Sequence, residues 1–121
     1  MTEIDAAFLI GSAFNLGPAE RKIVDDAIRE VCAVRVYQLF ALSVRTNHVH
    51  LVVKNCGKVE RMMDSFKAYS TRALRVANRI DGASKPWARH GSTRYLWTER
   101  HVELAVDYVL NGQGGDLPLF D

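Results

Sequence analysis

His48 and His50 stand two positions apart in a short apolar segment, residues 47–53, that reads NHVHLVV. Its β-branched residues, with turn-forming residues on both sides, predict a strand. Alternate side chains of a strand project from one face, so the two imidazoles should share a face. Two imidazoles at a fixed spacing could supply half of a metal site. The other interpretation is a pair of surface or hydrogen-bonded histidines, and the spacing alone does not separate the two.

Tyr108 is the second residue that could do chemistry, and a helix should position it. The pattern after the predicted N-cap Thr98 indicates a helix over residues 99–111, which ends at Gly112. At about 100° per residue, Tyr108 falls roughly 100° or more from the middle of the apolar stripe. A phenol at the margin of the buried face can reach a cleft, although it could also be a packing residue. The stripe itself consists of Val102, Ala105, Val106 and Val109.

Together these residues suggest chemistry on a phosphodiester. A metal ion held by His48, His50 and one oxygen ligand would polarise a phosphate and neutralise the charge that develops on it. Tyr108 would attack phosphorus and become a phosphotyrosine. A free phenol has a pKa of about 10, so the cation would have to activate it. The competing phenols are Tyr37, Tyr69 and Tyr95, of which Tyr37 is predicted to be a core residue.

Length and composition indicate a single soluble domain over residues 1–121. The chain is 48% hydrophobic and 25% charged, as in ordinary globular proteins. No apolar run reaches the roughly 18 residues that span a bilayer, and no signal peptide is recognisable. We therefore expect a cytoplasmic protein without membrane contact. In that reducing compartment, Cys32 and Cys56 are predicted to be packing residues and not a disulfide.

The net charge of +2 hides an uneven distribution. Residues 1–35 carry six acids and four bases, whereas residues 67–100 carry eight bases and two acids. The basic half is interleaved with aromatic residues, which suits a nucleic acid whose bases are free to stack. A solvated helix face followed by a loop would explain the charges equally well. The candidate nucleic-acid contacts are Lys67, Arg72, Arg89, Arg94 and Trp97.

The order of elements predicts a ferredoxin-like α+β fold, an antiparallel sheet with helices on one face and a weak or missing first strand. Residues 6–10 could form a strand, but their alanines and the following glycine weaken it. The other face of the sheet should stay open for a site or a partner. The remaining expected elements are a helix over 18–33, a hairpin of strands 36–44 and 47–53, a helix over 59–77 and a short strand over 94–97.

Four segments, residues 44–53, 66–72, 87–97 and 107–114, carry a resemblance to the HUH-type single-tyrosine transposases, in particular those related to the REP-associated tyrosine transposases. They occur in the order of that family and extend the resemblance over residues 16–121. The resemblance implies a ferredoxin-like catalytic domain with Mg or Mn on His48 and His50 and with Tyr108 as nucleophile. It implies cleavage and rejoining of single-stranded or hairpin DNA through a 5′-phosphotyrosine, without ATP. It further implies a homodimer that exchanges the tyrosine helix.

The sequence departs from this family at two places. Relatives often carry a third metal ligand, a glutamine four residues after the nucleophile, where this chain has Gly112 and the glutamine is Gln113. The weak first strand would leave the sheet to be completed by dimerisation, or mark a shortened, inactive copy. The alternative function is therefore a non-catalytic nucleic-acid-binding module, domesticated or decayed. A small domain that only oligomerises through its open sheet face is the third hypothesis.

Overall fold

The computed structural model describes residues 4–55 and 57–112. In this part the chain forms four strands and three helices, and none of these helices is long and apolar enough to cross a membrane. In chain order they are β1 (Ile4–Ser12), α1 (Pro18–Arg35), β2 (Gln38–Val44), β3 (His48–Asn55), α2 (Val59–Val76), β4 (Trp87–Leu96) and α3 (Glu99–Asn111).

The strands form one antiparallel sheet in the order β2-β3-β1-β4. Each of the two helical crossovers therefore skips one strand, which is the ferredoxin-like arrangement, and the predicted fold class is confirmed. The histidine strand β3 is central. Its His50 pairs with Leu9 of β1, and Leu9 in turn pairs with Ser92 of β4, so these three residues form one row across the sheet.

One face of the sheet packs against α1 and α2 and forms the larger core. Every second residue of β1 and β3 contributes to it, because strand side chains alternate between faces. Phe8 of β1 meets Phe66 of α2 edge to face, with ring centroids 5.3 Å apart. The fully buried members of this core include Phe8, Ile10, Val24, Ile28, Val49, Leu51, Met62 and Phe66.

The third helix lies on the opposite face, so the expectation of helices on one face and an open second face was wrong. Ala105 and Val109 of α3 are buried against Ala7 of β1 and Val52 of β3. The apolar stripe of α3 was predicted correctly. An amphipathic stripe says that a helix packs against something, but not against which face of the sheet.

The first strand is neither weak nor missing. β1 runs over nine residues and pairs with both β3 and β4. Ala6 and Ala7 disfavour a strand by intrinsic propensity, but both are buried between the sheet and the helices that cover its two faces. Small side chains at the centre of the sheet let helices on both faces approach closely.

The last strand is longer than predicted. β4 spans ten residues and pairs with β1 from Asp5 to Ser12, with a register shift near Ile10. Gly91 explains both the close pairing and the misleading sequence signal. A Cβ atom at Gly91 would lie 2.8 Å from the carbonyl oxygen of Leu9 and 3.1 Å from Cε of Met63. Only glycine fits at this position without displacing the neighbouring strand or α2.

Cys32 is a buried free thiol, as its predicted packing role requires, whereas Cys56 lies outside the described residues. Burial raises the pKa of the Cys32 thiol to about 11, against a smaller opposing effect of the nearby Arg29 charge. In a Cys56→Ser variant at pH 8, we expect iodoacetamide to label Cys32 at least about a hundredfold more slowly in native protein than in urea. Intact-mass spectrometry measures both rates. Equal labelling rates in native protein and in urea would contradict the burial of the Cys32 thiol.

Candidate active site

The β2–β3 hairpin places both histidines on the face of the sheet that α3 covers. His50 is only 3% exposed, whereas His48, nearer the turn, is half-buried. Their ring centroids lie 6.2 Å apart with the ring planes at 78°. The predicted common face is therefore observed. The pair lies at the boundary between the packed part of the α3 face and solvent.

The surroundings of His48 favour its neutral form. Burial and, to a smaller extent, the charge of Arg45 lower the pKa of His48 below its ordinary value. Its Nδ1 is 2.8 Å from Oδ1 of Asn47, an oxygen that can only accept a hydrogen bond. Nδ1 therefore carries the proton, and in the neutral ring Nε2 holds the lone pair. A neutral imidazole oriented through its second nitrogen is the form that ligates metal ions.

Tyr108 reaches this pair from α3. Thr98 caps the start of the helix, its Oγ1 accepting from the backbone N–H of His101 at 3.0 Å, as predicted. Ala105 and Val109 anchor the helix, and Tyr108 lies half-buried at the margin of their face. Its ring centroid is 5.9 Å from that of His50, with the planes at 90°. A phenol and two imidazoles from distant parts of the sequence thus converge within one chain.

At this place the described residues offer two imidazole groups, which are common ligands of divalent metal ions. They contain no group of three or more His, Cys, Asp or Glu side chains that could hold an ion. Gln113, the predicted third ligand, lies outside the described residues. The imidazole pair fits a partial metal site, in which the remaining ligands would come from Gln113, water or a bound phosphate.

The predicted nucleic-acid contacts fall into separate groups. Arg94 of β4 pairs with Ala7, whose side chain packs under α3, so Arg94 lies on the same sheet face as the histidines. Lys67 and Arg89 instead line a groove between α2 and β4 on the other face. This groove also contains acidic residues, Glu60 and Asp64.

The two remaining candidates lie apart from the histidines. The guanidinium of Arg72 lies over the ring of Tyr69, 5.3 Å from its centroid. Trp97 follows β4, is 69% exposed and has its ring centroid 5.8 Å from that of Tyr95. The basic and aromatic residues therefore border both faces of the edge strand β4 and do not form one continuous patch around Tyr108.

Arg45 is a site residue to which sequence reasoning gave no role. Its guanidinium donates from Nη2 to the carbonyl oxygen of Gly112 at 2.9 Å and from Nε to Oγ of Ser43 at 2.9 Å. The only sequence signal was its place in the turn just before the histidine strand. The partner at the end of α3 is 67 positions away, so no local pattern could reveal the contact.

A family model described as "Transposase IS200 like" matches residues 16–108 of this chain. The matched range begins before α1 and ends at Tyr108, so it includes both histidines and the tyrosine. No curated protein matches the sequence significantly.

Two solved structures share the fold. One is a REP-associated tyrosine transposase bound to a REP hairpin, with a TM-score of 0.71 and 16% identity over 90% of this chain. This chain spans 66% of that protein's length. The other, from Deinococcus radiodurans, is assigned as a transposase, with a TM-score of 0.69, 14% identity and 95% coverage of both chains. At these identities the similarity shows the common fold.

Proposed function

Because the chain belongs to the IS200-like transposase family, we propose that it cleaves and rejoins single-stranded DNA through a 5′-phosphotyrosine on Tyr108. The observation that carries this proposal is the approach of the Tyr108 ring to His50, with 5.9 Å between centroids. The two residues come from separate elements and meet at the boundary between the packed part of the α3 face and solvent.

The proposed reaction exchanges one phosphodiester bond for another. Oη of Tyr108 attacks phosphorus and loses its proton to water, a bond forms between Oη and phosphorus, and the bond from phosphorus to the 3′ oxygen breaks. The 3′ oxygen takes up a proton and leaves as a hydroxyl. Because no phosphodiester is hydrolysed, the reverse attack by a 3′ hydroxyl rejoins the strand without ATP.

His48 and His50 would hold a divalent ion, Mg or Mn, with Gln113 as the proposed third protein ligand. When bound, such an ion supplies a Lewis acid for the phosphate oxygens. The protein's own contribution is to keep the His48 imidazole neutral and oriented. The hydrogen bond of His48 to Asn47 and the lowered pKa of His48 support that role.

The substrate we propose is single-stranded or hairpin DNA, as in the solved transposase complex with a REP hairpin. Arg94 lies on the histidine face and would contact phosphates close to the scissile bond. Lys67, Arg72 and Arg89 would contact phosphates farther along the strand, and the exposed Trp97 offers a ring for base stacking. The proposed compartment is the cytoplasm.

A second subunit is not required to bring the phenol to the imidazoles, since Tyr108 lies against His50 of its own chain. The homodimer and the exchange of the tyrosine helix stay predictions. Sedimentation of the protein with and without DNA would measure the oligomeric state.

The proposal predicts a covalent protein–DNA adduct that survives boiling in SDS. Purified protein is incubated with Mn²⁺ and labelled oligonucleotides that present single strands or hairpins, and the adduct is digested and mapped by mass spectrometry. We expect the nucleotide on the tryptic peptide that contains Tyr108. Salt-sensitive binding without any adduct, with or without metal, would instead establish the non-catalytic binding module.

A further inference from the structure

The end of the tyrosine helix is held by a residue of the histidine hairpin. Arg45 lies between β2 and β3, and its backbone N–H donates to the carbonyl oxygen of His48 at 2.8 Å, which closes the turn. From this fixed position its guanidinium donates to the carbonyl oxygen of Gly112 and to Oγ of Ser43. Ser43 pairs with His50 across the hairpin. One side chain therefore connects the strand pair that carries both imidazoles with the last turn of α3.

Gly112 contacts Tyr108 directly, through a backbone hydrogen bond and through its closeness to the phenol ring. The backbone N–H of Gly112 donates to the carbonyl oxygen of Tyr108 at 2.8 Å, so the two residues close the last helical turn. A Cβ atom at Gly112 would lie only 2.9 Å from Cδ2 of the Tyr108 ring. The glycine backbone thus lies directly against the phenol ring. Where Gly112 is held, the ring of Tyr108 is limited on one side.

Arg45 adds a contact at the end of the turn that carries Tyr108, beyond the packing of Val109 against the sheet. The buried residues of α3 are Ala105 and Val109, and no basic residue of α3 itself lies in its last turn. The last carbonyl groups of a helix lack intrahelical partners, and a positive charge near them is favourable. Arg45 supplies both the donor and the charge from outside the helix. A hydrogen bond from a charged donor is also stronger than a neutral one.

We infer that Arg45 is a positioning residue that holds the last turn of α3 through Gly112 and thereby keeps Tyr108 against His50. The inference rests on the proposed function of Tyr108, because positioning matters only if the phenol attacks. Arg45 touches neither the phenol nor the scissile phosphate in this role. Its effect is on how often the phenol is in place when DNA is bound.

The test compares Arg45→Ala with Arg45→Lys and with a matched control, Arg21→Ala. Arg21 is also part-buried and also donates to a backbone carbonyl, that of Leu16 at 2.9 Å, but it does so at the start of α1. Single-turnover adduct formation is measured at saturating DNA, and DNA affinity is measured separately. For Arg45→Ala we expect adduct formation to slow by about ten- to a hundredfold, with affinity within about twofold of wild type. Arg21→Ala should match wild type.

Two further readouts separate positioning from a general loss of structure. Methylguanidine at millimolar concentration should restore several-fold activity to Arg45→Ala but none to Arg45→Lys, because it replaces only the missing planar donor. Thermal unfolding of Arg45→Ala should resemble that of wild type. A loss confined to DNA affinity would overturn the inference and make Arg45 a phosphate contact. Wild-type rates in Arg45→Ala would also overturn it.

Amide hydrogen exchange tests the contact whether or not the wild-type protein forms an adduct. Exchange of the Gly112 amide, which bonds to Tyr108, should accelerate by about tenfold in Arg45→Ala, because the last turn opens more often. Amides near Ala105 should be unaffected. Unchanged exchange at Gly112 would show that Arg45 does not hold the turn. Absence of the adduct in wild type together with accelerated exchange would reject the proposed function and keep the contact.

Discussion

Tyr108→Phe is expected to abolish the covalent protein–DNA adduct while leaving DNA binding unchanged. The substitution removes one oxygen and keeps the ring, which packs at the margin of α3 with its centroid 5.9 Å from that of His50. Phenylalanine cannot bond to phosphorus, so strand cleavage should fall by about 10⁴-fold or more, the scale on which loss of a nucleophile acts in other covalent enzymes. SDS gels of labelled oligonucleotide measure the adduct, and fluorescence anisotropy measures binding.

Tyr37→Phe is the matched control. The ring of Tyr37 packs against Phe66, 6.0 Å between centroids, on the other face of the sheet. Tyr37→Phe also removes only a hydroxyl group, and this variant should retain full adduct formation. If Tyr108→Phe still formed the adduct, another phenol would be the nucleophile, and peptide mapping would identify it. If it lost DNA affinity instead, Tyr108 would be a binding residue.

The histidine strand and the tyrosine helix could be predicted because their signals are local. The alternation around His48 and His50 fixes which side chains share a face, whatever the rest of the chain does. The stripe on α3 and the N-cap Thr98 predict the start of the helix, and Gly112 marks its end, although Gly112 is extended (φ −80°, ψ 180°) and not left-handed as a C-terminal glycine often is. Such patterns depend on a few neighbouring residues, and the structure confirms both elements.

The first and last strands of the chain, β1 and β4, could not be predicted in the same way. β1 and β4 are strands mainly because they pair with each other and, for β1, with β3. Ala6, Ala7 and Gly91 are poor strand formers in isolation, yet small side chains are what the close packing at these positions requires. Intrinsic propensity therefore pointed away from strands at the places where tertiary packing decides.

The candidate site also combines features that local sequence signals predict with features that depend on tertiary packing. That His48 and His50 form a pair follows from their spacing, but their approach to Tyr108 depends on which face of the sheet α3 covers. No periodicity gives that information, and the resemblance to a known family supplied the expectation. The contact of Arg45 with Gly112 bridges the two elements over a long stretch of sequence, so only a three-dimensional structure could reveal it.

Removal of the metal, or of either imidazole, should have the second largest effect. EDTA is expected to stop adduct formation, and excess Mg²⁺ or Mn²⁺ should restore it. In His48→Ala and His50→Ala we expect cleavage to fall by about 10³-fold, since Lewis-acid stabilisation is worth several kcal/mol.

The lowered pKa of His48 keeps its imidazole neutral to a lower pH than usual. Wild-type cleavage should therefore decline only below about pH 6.5, the ordinary value for histidine.

His101→Ala is the control, because His101 lies in the first turn of α3 and is no part of the imidazole pair. His50 is almost fully buried, so a thermal unfolding curve must show that His50→Ala is still folded. His48 is half-buried and can be replaced with less disturbance of the packing. Binding of Mn²⁺, followed by its electron paramagnetic resonance signal, should weaken in both histidine variants and not in His101→Ala. Full cleavage in EDTA, or unchanged Mn²⁺ affinity without His48, would mean that the imidazoles serve only to orient Tyr108 and the phosphate.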